Sequence, residues 1–239
     1  MARHRAEVTS GDKGWFVHKK YFAVPALLLG FDTETTGLDV GSERAISYGF
    51  CAYERGRPVW SDHFYVRPDR PISPGAQRVH GVSMQDLEAK YQSHEALSVP
   101  MGLIRAVGVL REYLHRGASI VGANVTFFDL EMLRRSYAAV LQKNLLDDLR
   151  IERFPVIDVI KHDEIIESRS VSSRRRSLTS LCQHYGVTPG GHNALSDARA
   201  SVEVFLAQVA ANDAERRAAS PQISLPLEFG DSPTPLRGS

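Results

Sequence analysis

Leu27-Leu28-Leu29-Gly30-Phe31-Asp32-Thr33-Glu34-Thr35-Thr36-Gly37 decides how the rest of the chain is read. A short apolar run passes straight into two acids spaced by one residue, and a Thr-Thr-Gly break follows. Apolar runs of about four to eight residues closed by a glycine turn read as buried strands. Alternate strand residues share a face, so Asp32 and Glu34 point the same way. Two carboxylates side by side at the end of a buried strand repel each other, and one must hold a proton unless a cation intervenes. Magnesium and manganese take hard oxygen ligands and relieve such a pair. The plain alternative is a solvated strand end that happens to be acidic, and Asp-x-Glu alone does not separate the two. Further ligands have to come from elsewhere in the chain.

A length of 239 residues suits one α/β domain with tails. The hydrophobic share of 43% and charged share of 24% are ordinary for a globular chain and let a sizeable core be buried. With a net charge of +1, any affinity for nucleic acid must come from local patches and metal, not from bulk charge. Cys51 and Cys182 lack metal-type spacing and read as buried or free thiols in a reducing compartment. No stretch reaches about 18 consecutive apolar residues, and the N-terminus lacks the long apolar core of a signal peptide. The expectation is a soluble, cytoplasmic protein with no membrane association.

Residues 1–24 are mixed and polar and read as a flexible N-terminal segment. Residues 27–31, 45–53, 58–66, 119–122 and 155–159 read as five strands, the second and third joined by a turn at Glu54-Arg55-Gly56-Arg57. Pro68, Pro71 and Pro74 mark a loop. Ser83, with Asp86 three residues on, caps a short helix. Apolar residues at 103, 104, 107, 110 and 114 follow the helical period over 101–115. Leu130, Leu133, Tyr137 and Leu141 do so over 129–141, and Val202, Phe205 and Val209 over 194–211. Ser177 caps another helix that Gly186 stops. Strands alternating with helices after an opening meander give an α/β fold, a mixed sheet flanked by helices. The domain spans 25–211, and the proline-dotted stretch 212–239 reads as a disordered C-terminal tail.

Three further residues complete a constellation. Asp129 opens a helix, where an acid is also welcome simply for the helix dipole. His192 and Asp197 lie in Gly190-Gly191-His192-Asn193-Ala194-Leu195-Ser196-Asp197, a glycine loop running into the last helix. A lone loop histidine is usually a surface residue, so the order of the whole set matters more than any member.

That order resembles the DEDD superfamily of 3′–5′ exonucleases, in the histidine-using subgroup, and most closely the epsilon family of proofreading subunits. The resemblance covers about residues 25–211 and rests on Phe31 to Leu38, on Val79-His80-Gly81-Val82 and on His192 to Asp197. Asn124 departs from the family pattern: it stands five residues before Asp129 where the family has four, which implies a small bulge. The resemblance implies a ribonuclease H-like, mixed five-stranded sheet flanked by helices. It also implies hydrolysis with two ions, Mg²⁺ or Mn²⁺. Asp32, Glu34 and Asp197 would hold the first ion, Asp32 would bridge, and Asp129 would reach the second. His192 is then the general base, since an imidazole pKa of about 6.5 suits taking a proton from the attacking water. Family position places Thr35 on the terminal sugar, Leu38 near the terminal base and His80 as a further substrate contact. Phe128 reads equally as core or as stacking surface. Arg174-Arg175-Arg176 reads as a solvated loop or a phosphate track. Asp158 ends a strand without a second acid two residues on and reads as structural.

The expected substrate is the 3′ end of single-stranded DNA, in replication proofreading or repair. An RNA-trimming exonuclease of the same fold and a catalytically silent nucleic-acid-binding module stand as alternatives, and a DNA polymerase subunit is an expected partner. In the tail, Gln222-Ile223-Ser224-Leu225-Pro226-Leu227 is an isolated apolar island. It resembles the peptide by which bacterial replication proteins bind the β sliding clamp, with Gln222, Leu225 and Leu227 as the contacting residues.

Overall fold

Strand alternation sets the architecture from the inside outward. In the computed structural model, which describes residues 9–10, 15–17, 23–167 and 176–219, the opening stretch forms β3 (Leu27–Thr35). Its two faces feed two cores. Leu27, Leu29 and Phe31 enter one, and Leu28 enters the other. Phe31 stacks on Phe50 with ring centroids 4.9 Å apart. Full burial of such a side chain stabilises by about 1.5–3 kcal/mol.

The sheet has eight strands, in the order β1-β2-β8-β7-β3-β4-β5-β6. They are β1 (Thr9–Ser10), β2 (Trp15–Val17), β3, β4 (Ala45–Glu54), β5 (Arg57–Arg67), β6 (Ala96–Ser98), β7 (Ser119–Gly122) and β8 (Phe154–Asp158). β3, β4 and β5 form an antiparallel meander, while β6, β7 and β8 pair in parallel with β5, β3 and β7. The expectation of five strands is therefore corrected: six lie from Leu27 onward, the added one being β6. At three residues β6 is too short to show a period of two, so composition alone hides it. Within the segment read as a lead-in, β2 pairs in parallel with β8, and Trp15 is buried against Phe154.

The helices follow from caps and apolar stripes. Pro74 does not extend a loop. With Ser73 as N-cap accepting from the Ala76 N–H, it opens α1 (Pro74–His80), because a first-turn proline gives up a donor the helix does not need. Ser83 and Asp86 form the expected capping box of α2 (Met84–Gln92). α3 (Val99–His115) and α4 (Asp129–Leu141) cover the Phe31 face. Ile104, counted on the apolar stripe of α3, lies exposed. Two short helices escape the sequence reading, α5 (Leu145–Leu149) and α6 (Val159–Ile166). α7 (Leu178–Tyr185) and α8 (Ala194–Ala219) cover the Leu28 face, and α8 runs on past residue 211.

Two glycines let α8 lie unusually close to the sheet. A Cβ on Gly30 would meet the Ala198 carbonyl oxygen at 2.7 Å, and one on Gly49 would collide with the Ala194 backbone. Gly49 pairs with Asp32 across the ladder, so the start of α8 is seated beside the first acid.

Candidate active site

Asp32 and Glu34 leave β3 on the α8 side, two residues apart as the pleat requires. Asp197, in the first turn of α8, meets them there. One carboxylate oxygen from each of the three lies within 4.8 Å of the others. The start of α8 is fixed by Asn193, whose side-chain oxygen accepts from the Ser196 N–H at 3.2 Å and whose carbonyl accepts from the Asp197 N–H at 2.8 Å. Gly190 packs so tightly on Asp197 that a Cβ would overlap it, and Gly191 has a φ of 72°. These glycines thus meet a close approach and a left-handed turn. The backbone at His192 and Gly190 pulls the Asp197 carboxyl down, against burial.

The electrostatics are those of crowded, uncompensated acids. Burial, then Asp197 and Asp129, push the Glu34 carboxyl up to about 8. Asp32 is raised well above the usual carboxylate range by burial and by Asp129, Asp197 and Glu34. Burial raises Asp197 as well, with His192 pulling the other way. Among the described residues, no lysine or arginine pairs with the three acids. Hard oxygens converging without a fixed cation fit a divalent metal ion.

Asp129 joins from the opposite side of β3. It is buried at the start of α4, and its Oδ1 accepts from the Thr33 N–H at 2.9 Å and the Thr33 hydroxyl at 2.6 Å. Burial raises its carboxyl, and the Thr33 hydrogen bonds oppose that rise. Its oxygens are not part of the 4.8 Å group, although its charge is felt by Asp32 and Glu34. Thr33 is a site residue that sequence reasoning missed. Lying between the two acids, it points to the other face, and only the fold shows what it meets.

The extra residue between Asn124 and Asp129 is taken up in the turn before α4. Asn124 has a φ of 58°, and its carbonyl accepts from the N–H groups of Phe127 and Phe128, each at 3.1 Å. The Leu130 N–H then bonds back five residues to the Val125 carbonyl at 3.0 Å. A ring one residue wider than the α-helical one absorbs an insertion of one.

Beside the acids runs a cleft of about 380 Å³, whose walls include Thr35, Leu38, Val79, His80 and Phe128. Leu38 is 86% exposed at its rim. The Thr35 hydroxyl donates to the Gly37 carbonyl at 2.7 Å, leaving its lone pairs for a ligand. His80 Nδ1 accepts from the Val82 N–H at 3.1 Å, which puts the ring proton on Nε2, 3.2 Å from the Thr35 carbonyl. Both ring nitrogens thus have protein partners, and the histidine ties α1 to the end of β3. His192 is exposed, with a φ of 61°, and its charge is felt by both Asp197 and His80. Arg176 pairs with Asp163 at 2.7 Å and Glu167 at 3.3 Å. Arg174 and Arg175, and the tail residues Gln222, Leu225 and Leu227, lie outside the described residues.

A family model described as "Exonuclease" (RNase_T) matches residues 29–205, a span that contains all four acids and His192. The chain belongs to this exonuclease family. A DNA polymerase III subunit epsilon from Pasteurella multocida is 26% identical over 193 residues, covering 76% of this chain and 68% of its own. A DNA polymerase III PolC-type from Thermotoga petrophila is 29% identical over 182 residues, covering 76% of this chain and 12% of its own. Among solved structures, E. coli exonuclease I in complex with a dT13 oligonucleotide superposes with a TM-score of 0.64 at 16% identity, covering 81% of this chain and 43% of that one. The exonuclease family member described here therefore spans only a small part of the PolC relatives and under half of exonuclease I. Among its described residues, no helix is long and apolar enough to cross a membrane.

Proposed function

We propose that this chain is a 3′–5′ exonuclease releasing nucleoside monophosphates from DNA 3′ ends, with two divalent ions, Mg²⁺ or Mn²⁺, in replication proofreading or repair. The observation that carries this reading is the convergence of Asp32, Glu34 and Asp197 with no cation, next to Asp129 and His192. Asp32, Glu34 and Asp197 would hold one ion, Asp32 and Asp129 the other. Bound divalent ions neutralise phosphate charge and lower the pKa of water at neutral pH.

The residues supply the rest. His192, exposed five residues before Asp197, takes the proton from the attacking water. An O–P bond forms to that water as the bond from phosphorus to the 3′-oxygen of the penultimate nucleotide breaks. That oxygen leaves and takes a proton from solvent, giving a nucleoside 5′-monophosphate and a chain shorter by one. Leu38, Phe128 and Val79 offer the terminal base apolar surface, and Thr35 accepts from its sugar. The epsilon relative and the dT13 bound to exonuclease I favour DNA as substrate and a polymerase as partner. The tail segment from Gln222 to Leu227 would tether the domain to a sliding clamp and raise its effective concentration at primer ends.

One assay tests the core of this reading. Single-stranded DNA and RNA of the same sequence, labelled at the 3′ end, are incubated with Mn²⁺. Release of the labelled 3′-terminal mononucleotide from DNA as the first product is expected, at a higher rate than from RNA. Faster trimming of RNA would move the chain to the ribonuclease reading, and no release from either would leave a binding module. For the tail, calorimetric titration of residues 216–232 against the clamp should show binding that Gln222→Ala and Leu225→Ala abolish.

A further inference from the structure

Asp158 is a buried carboxylate outside the acid cluster, 1% exposed at the end of β8. As N-cap of α6, its Oδ1 accepts from the N–H groups of Ile160 at 3.1 Å and Lys161 at 3.4 Å. Capping alone would account for an aspartate here. Its remaining contacts serve another element. Oδ1 also accepts from the Asn124 N–H at 3.1 Å, and Oδ2 accepts from the Thr126 hydroxyl at 3.0 Å. Both partners belong to the turn that carries the extra residue ahead of Asp129. That turn is otherwise held by its own backbone hydrogen bonds and by Val125, buried in the core, and Asn124 sits in a left-handed conformation. A wide turn with a strained residue has several arrangements open to it, and an external acceptor with two fixed donors selects one.

We infer that Asp158, with Thr126, is a positioning residue for Asp129 and for Phe128 beside it, acting on the second metal position rather than on the first. Asp129 is then set from two sides: Thr33 orients its carboxylate, and Asp158 orients the turn that delivers it. The inference rests on the proposed metal-dependent reaction at this site.

The test separates capping from positioning. Asp158→Ser keeps an N-cap acceptor for α6 but is too short to reach the 124–126 turn, and Thr126→Val removes one hydroxyl at nearly constant volume. Mn²⁺ binding is followed by calorimetry on the full chain, and nucleotide release is titrated against Mn²⁺. Asp158→Ser should weaken the second, weaker ion about 10–100-fold, the usual effect of removing an orienting partner, and leave the tighter ion within about twofold. Thr126→Val should shift the same ion by a smaller factor. In an Asp129→Ala background neither change should weaken Mn²⁺ binding further, since both act through Asp129. Unchanged affinity for both ions in a folded Asp158→Ser protein, or equal weakening of both, would overturn the assignment. Should that variant fail to fold, Thr126→Val decides in the same terms. Failure of the underlying reading has a separate signature: wild-type protein that binds no Mn²⁺, or Asp32→Ala protein that still releases nucleotide.

Discussion

Asp32 and Asp158 lie toward the carboxyl ends of two parallel strands of one sheet, yet their surroundings are opposite. Asp158 receives four hydrogen bonds from the chain, and these pull its carboxyl down against the rise that burial imposes. Every influence on Asp32 raises it: burial first, then three neighbouring acids. A satisfied buried carboxylate holds structure together. An unsatisfied one among like charges costs stability, and folding tolerates it where a ligand will supply the missing charge.

The largest expected effect comes from removing each in turn. Asp32→Ala should bring metal-dependent nucleotide release below detection. In EDTA at pH 8 the same variant should be at least as stable as wild type, because a repelling charge is gone. Asp158→Ala should cost about 1–3 kcal/mol in urea unfolding, since it strands buried donors. If the stability changes came out in the reverse order, the contrast between the two acids would be wrong. Next in size, His192→Ala should slow release by about 10²–10⁴-fold with the fold intact, the usual worth of a general base. A rate within threefold of wild type would remove His192 from the reaction.

Metal and pH sharpen the contrast further. At 100 times its dissociation constant, Mn²⁺ should stabilise the folded chain by about 2.7 kcal/mol, and Asp32→Ala should lose most of that gain. The folded protein keeps a proton on Glu34 from its ordinary 4.5 up to about 8, where the unfolded chain has released it. The folded state therefore binds more protons in that window, and metal-free stability falls as pH rises through it. Differential scanning calorimetry in EDTA should show the melting temperature dropping from pH 5 to 8, with Mn²⁺ flattening the slope. A level profile in EDTA would mean that the acids do not crowd.

The smallest effect tests the seat of α8. Gly49→Ala should cost about 1–3 kcal/mol by overpacking and raise the Mn²⁺ concentration needed for half-maximal rate, since Asp197 is pushed away from Asp32. No change in either quantity would show that α8 does not depend on that glycine.

Much of this was legible before folding. The alternation of β3 and its two acids follows from a period of two, and the helices of 99–115 and 129–141 from a period near 3.6. The capping box at Ser83 and Asp86 was readable because it is local. The six-residue region from His192 to Asp197 was readable as a loop entering a helix, although Gly190 before it answers to packing on Asp197 and Gly191 to a left-handed turn. β6 and α5 were not legible, because three and five residues carry too little pattern. α1 was misread because a proline was taken as a breaker where its cap makes it a starter.

The sequence by itself determined which residues are acidic, which face of β3 they take and the order in which candidate ligands arrive along the chain. Periodicity, caps and turns act over a few residues, and those features need nothing more. Only the tertiary structure decided that Thr33 holds Asp129 across 96 residues, that Asp158 reaches 32 residues back to Thr126, and that Gly49 admits the start of α8 beside Asp32. Each of these joins groups far apart in sequence, brought together by the packing of two cores on one sheet. No local pattern encodes which distant donor a buried oxygen will find, because that is set by the distance at which whole elements come to rest.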